Sequence, residues 1–198
     1  MLAVAWPWGD STGSECADTA ARLASSLCAG IGGHAGASTN GNIHCAYRDL
    51  RATPAQSRAW RPATLPDGRV AIFHGYFDNA PAIAAELGED RLDLARLYAL
   101  AVEEWGDRAD LKLIGDYCAV IADPHGNYLR LVRSPLRAPP LYHFQDEELV
   151  VAGSVSRIFF GAGVEQRPNE RRVADSGMIN FLDQEASWFE DIHRVPIG

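Results

Sequence analysis

Short chain reversals constrain this sequence more than any other feature. Asn40-Gly41 stands between two extended segments, residues 34–38 and 42–47, and predicts a two-residue hairpin. Asp67-Gly68 predicts a second hairpin, feeding a strand over residues 69–75. Residues 114–123 and 128–133 are joined by Pro124-His-Gly-Asn127, and residues 141–144 and 148–152 by Gln145-Asp146-Glu147. Such tight links join antiparallel neighbours, because a parallel pair needs a long crossover between its strands. Residues 2–6 predict one more strand, apolar enough to be buried.

Helical patterns lie between these hairpins. Thr12-Gly-Ser-Glu15 reads as a capping box, apolar positions 20, 23, 24, 27 and 28 recur at helical spacing, and Gly30 can end that helix. Asn79 can cap a short helix with Pro81 in its first turn. Residues 92–105 place Leu94, Leu97, Tyr98, Ala101, Val102 and Trp105 on one face. Further short helices are predicted over residues 154–160 and from Asn169. The order β, α, ββ, ββ, αα, ββββ, α comes in blocks. It implies a layered α+β domain rather than an alternating parallel sheet.

The 198 residues are 47% hydrophobic and 22% charged, which excludes disorder and coiled coil as the dominant state. The net charge of −8 makes nucleic acid and anionic lipid poor default partners. No apolar run reaches the length of a membrane span. The apolar start lacks a basic segment and stops at Asp10, so it reads as a buried strand rather than a signal peptide. Cys16, Cys28, Cys45 and Cys118 form no paired motif, which implies reduced, mostly buried thiols in a cytoplasmic protein. All basic residues except Lys112 are arginine, a mark of GC-rich coding rather than of chemistry.

Generic motifs identify no chemistry. Gly30-Ile-Gly-Gly33 and Gly161-Ala-Gly163 complete no phosphate-binding loop, and no nucleophile elbow or zinc-protease motif occurs. His34 and His44 read as a cross-strand pair rather than a metal site. Glu103-Glu104 and Asp146-Glu147-Glu148 read as a solvated helix face and a turn.

An ordered set of segments carries more. Gly115-Asp-Tyr-Cys-Ala-Val-Ile-Ala-Asp123 resembles the G-x-[FY]-[AC]-[FV] strand of asparagine synthetases, which ends in Asp before a turn. Arg133-Ser-Pro-Leu-Arg-Ala-Pro-Pro-Leu-Tyr142 resembles that family's RDxxGxxPLYY segment. Glu148-Leu-Val-Val-Ala-Gly-Ser154 resembles its LxFASE strand. Glu103-Glu-Trp-Gly106 matches the end of the preceding helix, and Arg194-Val-Pro-Ile-Gly198 resembles its RLPPG strand entry. The resemblance runs from about residue 70 to 198. It implies one domain over 1–198, the N-terminal class II glutamine amidotransferase half of a longer ATP-dependent ligase. Its fold would be the four-layer αββα sandwich of antiparallel sheets seen in N-terminal-nucleophile (Ntn) hydrolases.

Such an enzyme uses an N-terminal Cys thiol, with its own α-amine as base. The family begins Met-Cys-Gly, whereas this chain has Leu2 at the nucleophile position. The family's oxyanion motif Asn-Gly-Glu-Ile-Tyr-Asn falls on His74-Gly75-Tyr76-Phe77-Asp78-Asn79 and keeps only Gly75 of its first three residues. The carboxylate that binds the substrate amine falls on Leu94, with Asp93 adjacent. Arg48 matches the arginine that holds the glutamine carboxylate. His74 is either a satisfied core histidine or part of a repurposed pocket. Cys16 would be a nucleophile only after propeptide removal; Cys28, Cys45 and Cys118 read as small buried residues.

The resemblance therefore implies a domain with no catalytic residue and a relic glutamine pocket at Arg48, His74, Gly75, Tyr76 and Asp93. Members of the wider family without the Cys include β-lactam synthetases and lasso peptide cyclases, whose substrates supply their own amine. The implied partners are a C-terminal synthetase domain of the same chain and an amino-acid or peptide substrate, with homo-oligomerisation open. ATP and Mg are expected for that synthetase domain, with no cofactor or metal in this one. An active glutaminase domain of an asparagine synthetase and a stand-alone binding module are the rival readings.

Overall fold

The computed structural model describes residues 1–7, 13–29, 35–48, 61–135, 139–179 and 183–197, with side chains from residue 18 onward in the first helix. Two antiparallel sheets form its centre. The six-stranded sheet has the order β10-β8-β9-β1-β3-β2, built from β1 (Leu2–Pro7), β2 (Gly36–Asn40), β3 (Ile43–Tyr47), β8 (Tyr142–Gln145), β9 (Leu149–Gly153) and β10 (His193–Arg194). The four-stranded sheet has the order β4-β5-β6-β7, built from β4 (Ala63–Thr64), β5 (Val70–Phe77), β6 (Gly115–Asp123) and β7 (Tyr128–Arg133). Helices α1 (Gly13–Cys28) and α5 (Arg157–Ala162) cover the first sheet. Helices α2 (Ala80–Glu86) and α3 (Leu94–Trp105) cover the second. A 3-10 turn at Gly106–Arg108 and α4 (Ala109–Lys112) lead into β6, and α6 (Glu170–Gly177) follows β9 and α5.

Side-chain alternation explains the four layers. Along β1, Leu2, Val4 and Trp6 point between the sheets, while Ala3 and Ala5 meet Leu23 and Leu27 of α1. The large residues fill the inter-sheet layer, and the alanines let the helix approach closely. Along β6, Cys118, Val120 and Ala122 face between the sheets, and Tyr117, Ala119 and Ile121 face α3. Both faces of these strands are buried, so their sequence is a continuous apolar run rather than a polar alternation. An aromatic cluster seats α3: Phe73 stacks on Tyr117 at 5.3 Å, and Tyr98 lies 5.9 Å from Tyr117. The Tyr98 and Tyr117 hydroxyls donate to one oxygen of Asp110, and Arg130 donates to the other at 2.7 Å. The polar ends of the buried rings are thereby satisfied.

The predicted α+β sandwich is the observed architecture, with local differences. The first hairpin pairs Asn40 with Ile43, so its loop is Gly41-Asn42, one residue later than expected. Gly41 takes φ +58, which glycine adopts without steric cost at the first loop position. The same register sets Thr39 opposite His44; His34 lies outside the described residues, as do Thr12 and Gly30. Asn79 occupies the N-cap position of α2 but makes no side-chain cap bond. Its amide instead donates to the Lys112 carbonyl, and its oxygen accepts from the Ile114 amide. Helix α3 buries Ala95, Leu97, Tyr98, Ala99 and Ala101, and Leu94, Val102 and Trp105 pack partly buried against the same core. Helix α5 begins at Arg157, a turn later than the predicted start, and Asn169 caps α6 by accepting from the Arg172 amide.

Candidate functional site

Strand β1 lies at the centre of its sheet and opens on the position that the family resemblance assigns to a nucleophile. That residue, Leu2, is fully buried, with its side chain in the inter-sheet core. The Leu2 amide donates to the Ser154 hydroxyl at 3.0 Å, and the Ser154 amide donates to the Leu2 carbonyl at 3.1 Å. The Met1 ammonium donates to the Arg48 carbonyl at 2.8 Å, and the Arg48 amide returns a bond to the Met1 carbonyl at 2.9 Å. The strand start is thus held from β3 on one side and from the end of β9 on the other.

Within the second sheet, register sets three residues side by side. His74 on β5 and Arg133 on β7 both stand directly opposite Cys118 on β6. Cys118 has no exposed surface, and burial pushes its thiol up to about 12, with the N-terminal ammonium and then Arg133 pulling the other way. The thiol therefore stays protonated at neutral pH and is a weak nucleophile. Cys45 is likewise buried and pushed up to about 12. Cys16 falls inside α1 rather than at the start of a strand.

Gly75 owes its identity to backbone geometry. Its φ is +126, and a Cβ there would lie 2.1 Å from the Asp116 carbonyl oxygen and 2.7 Å from the Tyr117 Cα. Neither the conformation nor the space suits another residue. Tyr76 is 48% exposed and points away from the core.

Arg48 and Asp93 are tied to helix ends. Arg48 is buried, and its Nη1 donates to the Leu27 carbonyl at 2.9 Å, near the end of α1, beside Arg157, which donates to the same oxygen. Asp93 is the N-cap of α3 and accepts from the Arg96 amide at 3.3 Å. Burial raises its pKa, with the Arg96 and Ala95 amides and the Arg96 guanidinium opposing that rise.

The fold thus brings Leu2 and Arg48 together at the β1–β3 edge and keeps His74, Gly75 and Tyr76 consecutive on β5. It places Asp93 beyond the outer face of the second sheet, at the start of α3. None of these residues lines the cavities that the described residues form beside α6 and beside β8 and β10. Among the described residues no cluster of three His, Cys, Asp or Glu could hold a metal ion. Among them, too, no helix is long and apolar enough to cross a membrane. Ser154 was not legible as part of the site; the sequence placed it where a strand ends and a short helix begins, and its bond to Leu2 exists because β9 pairs with β1.

The stacked sheets between helical layers, with a central first strand, define the Ntn-hydrolase-like fold of the glutamine amidotransferases. Two solved structures share it. Glutamine phosphoribosylpyrophosphate amidotransferase from B. subtilis, complexed with ADP and GMP, aligns with TM-score 0.55 and 12% identity over 82% of this chain. A structure described as the allosteric regulatory enzyme of purine biosynthesis aligns with TM-score 0.50 and 13% identity over 82% of this chain. This chain covers 44% and 43% of their respective lengths. No family model and no curated protein matches the sequence.

Proposed function

We propose that this chain is a degenerate glutaminase-like domain of an asparagine-synthetase-like, ATP-dependent amide-forming ligase of the lasso-peptide-cyclase or β-lactam-synthetase type. The observation that carries the reading is Leu2: the residue opening the central strand is a buried leucine, which has no group that can attack a carbonyl. The other departures agree. Histidine stands in the oxyanion motif at His74, the Asp93 carboxylate is engaged as a helix cap, and the Cys118 thiol is held protonated. Loss of a nucleophile ends covalent acyl transfer, whereas loss of one oxyanion donor costs a further factor of about 100 to 1000.

In such a ligase the substrate supplies its own amine, so no ammonia is needed from glutamine. The domain would support a synthetase domain of the same protein and help to place an amino-acid or peptide substrate. ATP and magnesium would act on that synthetase domain.

Coupled measurement of ammonia release from glutamine tests the first half of this reading. The expected result is no release above a blank without protein. Release that disappears in Cys118→Ala, or a mature N-terminus at Cys16 in the source cells, would overturn it. The mass of the native polypeptide tests the second half. A mass well above 21.5 kDa supports a ligase parent, and a native chain of 21.5 kDa points instead to a stand-alone binding module.

A further inference from the structure

Asn40 is the last residue of β2 and pairs with Ile43, so the hairpin loop proper is Gly41-Asn42. The Gly41 amide donates to no group among the described residues, and nothing lies within 4 Å of the place where its Cβ would be. Gly41 is exposed. The nitrogen that follows Asn40 is thus unengaged, uncrowded and open to water. A backbone nitrogen so placed can attack the carboxamide carbon of the preceding asparagine, and glycine lacks the Cβ that would obstruct the approach.

The other described asparagines lack this combination. Asn42 precedes Ile43, which is branched, buried and held in the ladder of β3. Asn79 engages both ends of its amide, on the Lys112 carbonyl and the Ile114 amide. Asn127 precedes Tyr128, the first residue of β7. The Asn169 oxygen accepts from the Arg172 amide.

The Asn40 side chain also ties the two sheets together. Its Nδ2 donates to the Gly68 carbonyl at 3.1 Å, which joins the tip of the β2–β3 hairpin to the turn between β4 and β5. That turn is closed in its own right by the Gly68 amide, which donates to the Leu65 carbonyl at 3.0 Å. The nitrogen of this tie is the one that cyclisation would expel.

We propose that Asn40 is a site of spontaneous deamidation, and that the modification unties the hairpin tip from the β4–β5 turn. The Gly41 nitrogen gives its proton to solvent base and bonds to the Asn40 Cγ. The Cγ–Nδ2 bond breaks, and Nδ2 leaves as ammonia. Water then opens the cyclic imide. Cleavage at Cγ leaves aspartate; cleavage at the main-chain carbonyl leaves isoaspartate, with an extra carbon in the backbone. Either product carries a carboxylate in place of the amide donor, and a carboxylate cannot donate to the Gly68 carbonyl.

Peptide mapping by mass spectrometry, after days in mildly alkaline buffer without denaturant, tests the site. The Asn40 peptide should gain one mass unit before the peptides of Asn79, Asn127 and Asn169 do, and fragmentation should place the gain at Asn40 rather than Asn42. The gain should come sooner as the pH rises, because the amide proton must leave. Asn40→Gln keeps a carboxamide but cyclises poorly, and should hold the peptide at its starting mass. Asn40→Asp carries the product's charge and should melt below wild type. A native protein whose Asn40 stays unmodified while the urea-unfolded chain gains the mass unit, or one in which Asn42 changes first, would overturn the site. An Asn40→Asp variant that melts like wild type would overturn the untying.

Discussion

The Leu2 amide and the Ser154 hydroxyl are 3.0 Å apart, although 152 positions separate the two residues along the chain. This bond, with the return bond from the Ser154 amide, fixes the first residue of the central strand against the end of β9. Leu2, buried in the inter-sheet core, is a packing anchor of this strand. Leu2→Ala should therefore lower stability by about 2–5 kcal/mol, the usual cost of emptying a buried leucine site. Ser154→Ala should cost about 1 kcal/mol or somewhat more, because it leaves the Leu2 amide buried without that acceptor. Urea denaturation of both variants measures these losses; a Leu2→Ala change within about 0.5 kcal/mol of wild type, the scatter ordinary for surface sites, would refute the anchor role.

Gly75 should tolerate no side chain. Its positive φ acts together with the Asp116 carbonyl oxygen, which stands 2.1 Å from where a Cβ would lie. Gly75→Ala should separate β5 from β6 and yield aggregated protein or a strongly lowered melting temperature. Gly177→Ala is the matched control, since nothing lies within 4 Å of its Cβ position and it sits at the end of α6. A Gly75→Ala variant that melts like wild type would mean that the close approach of β5 and β6 is not a feature of the protein.

Stability should fall as the pH drops below the ordinary imidazole value of 6.5. Burial lowers the pKa of His44, and burial together with His193 lowers that of His143. The folded protein then binds fewer protons than the unfolded chain, so stability rises with pH in this window. The loss begins near 6.5 and continues down to the depressed folded values. Urea midpoints at a series of pH values above the carboxylate range read this slope. The double variant His44→Gln, His143→Gln should flatten it, and an unchanged slope would rule out these two rings as its source.

Cys45 and Cys118 should resist thiol reagents in the native state. Both are buried and both are pushed up to about 12, so little thiolate is present and access is closed. Mass spectrometry after brief alkylation should find both unlabelled without denaturant and labelled in its presence. Rapid native labelling of Cys118 would reopen the question of a reactive thiol near the N-terminus.

The secondary structure was largely legible because it depends on near neighbours. Asp67-Gly68 marks a turn through backbone preference, and Gly68 has φ +86; Asn169 marks a helix start through its side-chain oxygen. The unbroken apolar run of β6 reflects burial on both faces, between α3 and the other sheet. Where two local roles competed, contacts made elsewhere decided. Asn79 has the chemistry of a cap, yet its side chain bridges Lys112 and Ile114 across the β5–β6 junction.

Sequence alone determined the antiparallel α+β class, the block order of its elements and the absence of a cysteine at the head of the first strand. Those properties reside in short-range spacing and in residue identity. Only the tertiary structure decided that Arg48 reaches the end of α1 and that His74 and Arg133 flank Cys118. It also gathered Arg133, Arg172 and Arg194 around one cavity. Strand order and register set these encounters. Each joins residues from separate elements, and the periodicity within a single element carries no information about which partner it will meet.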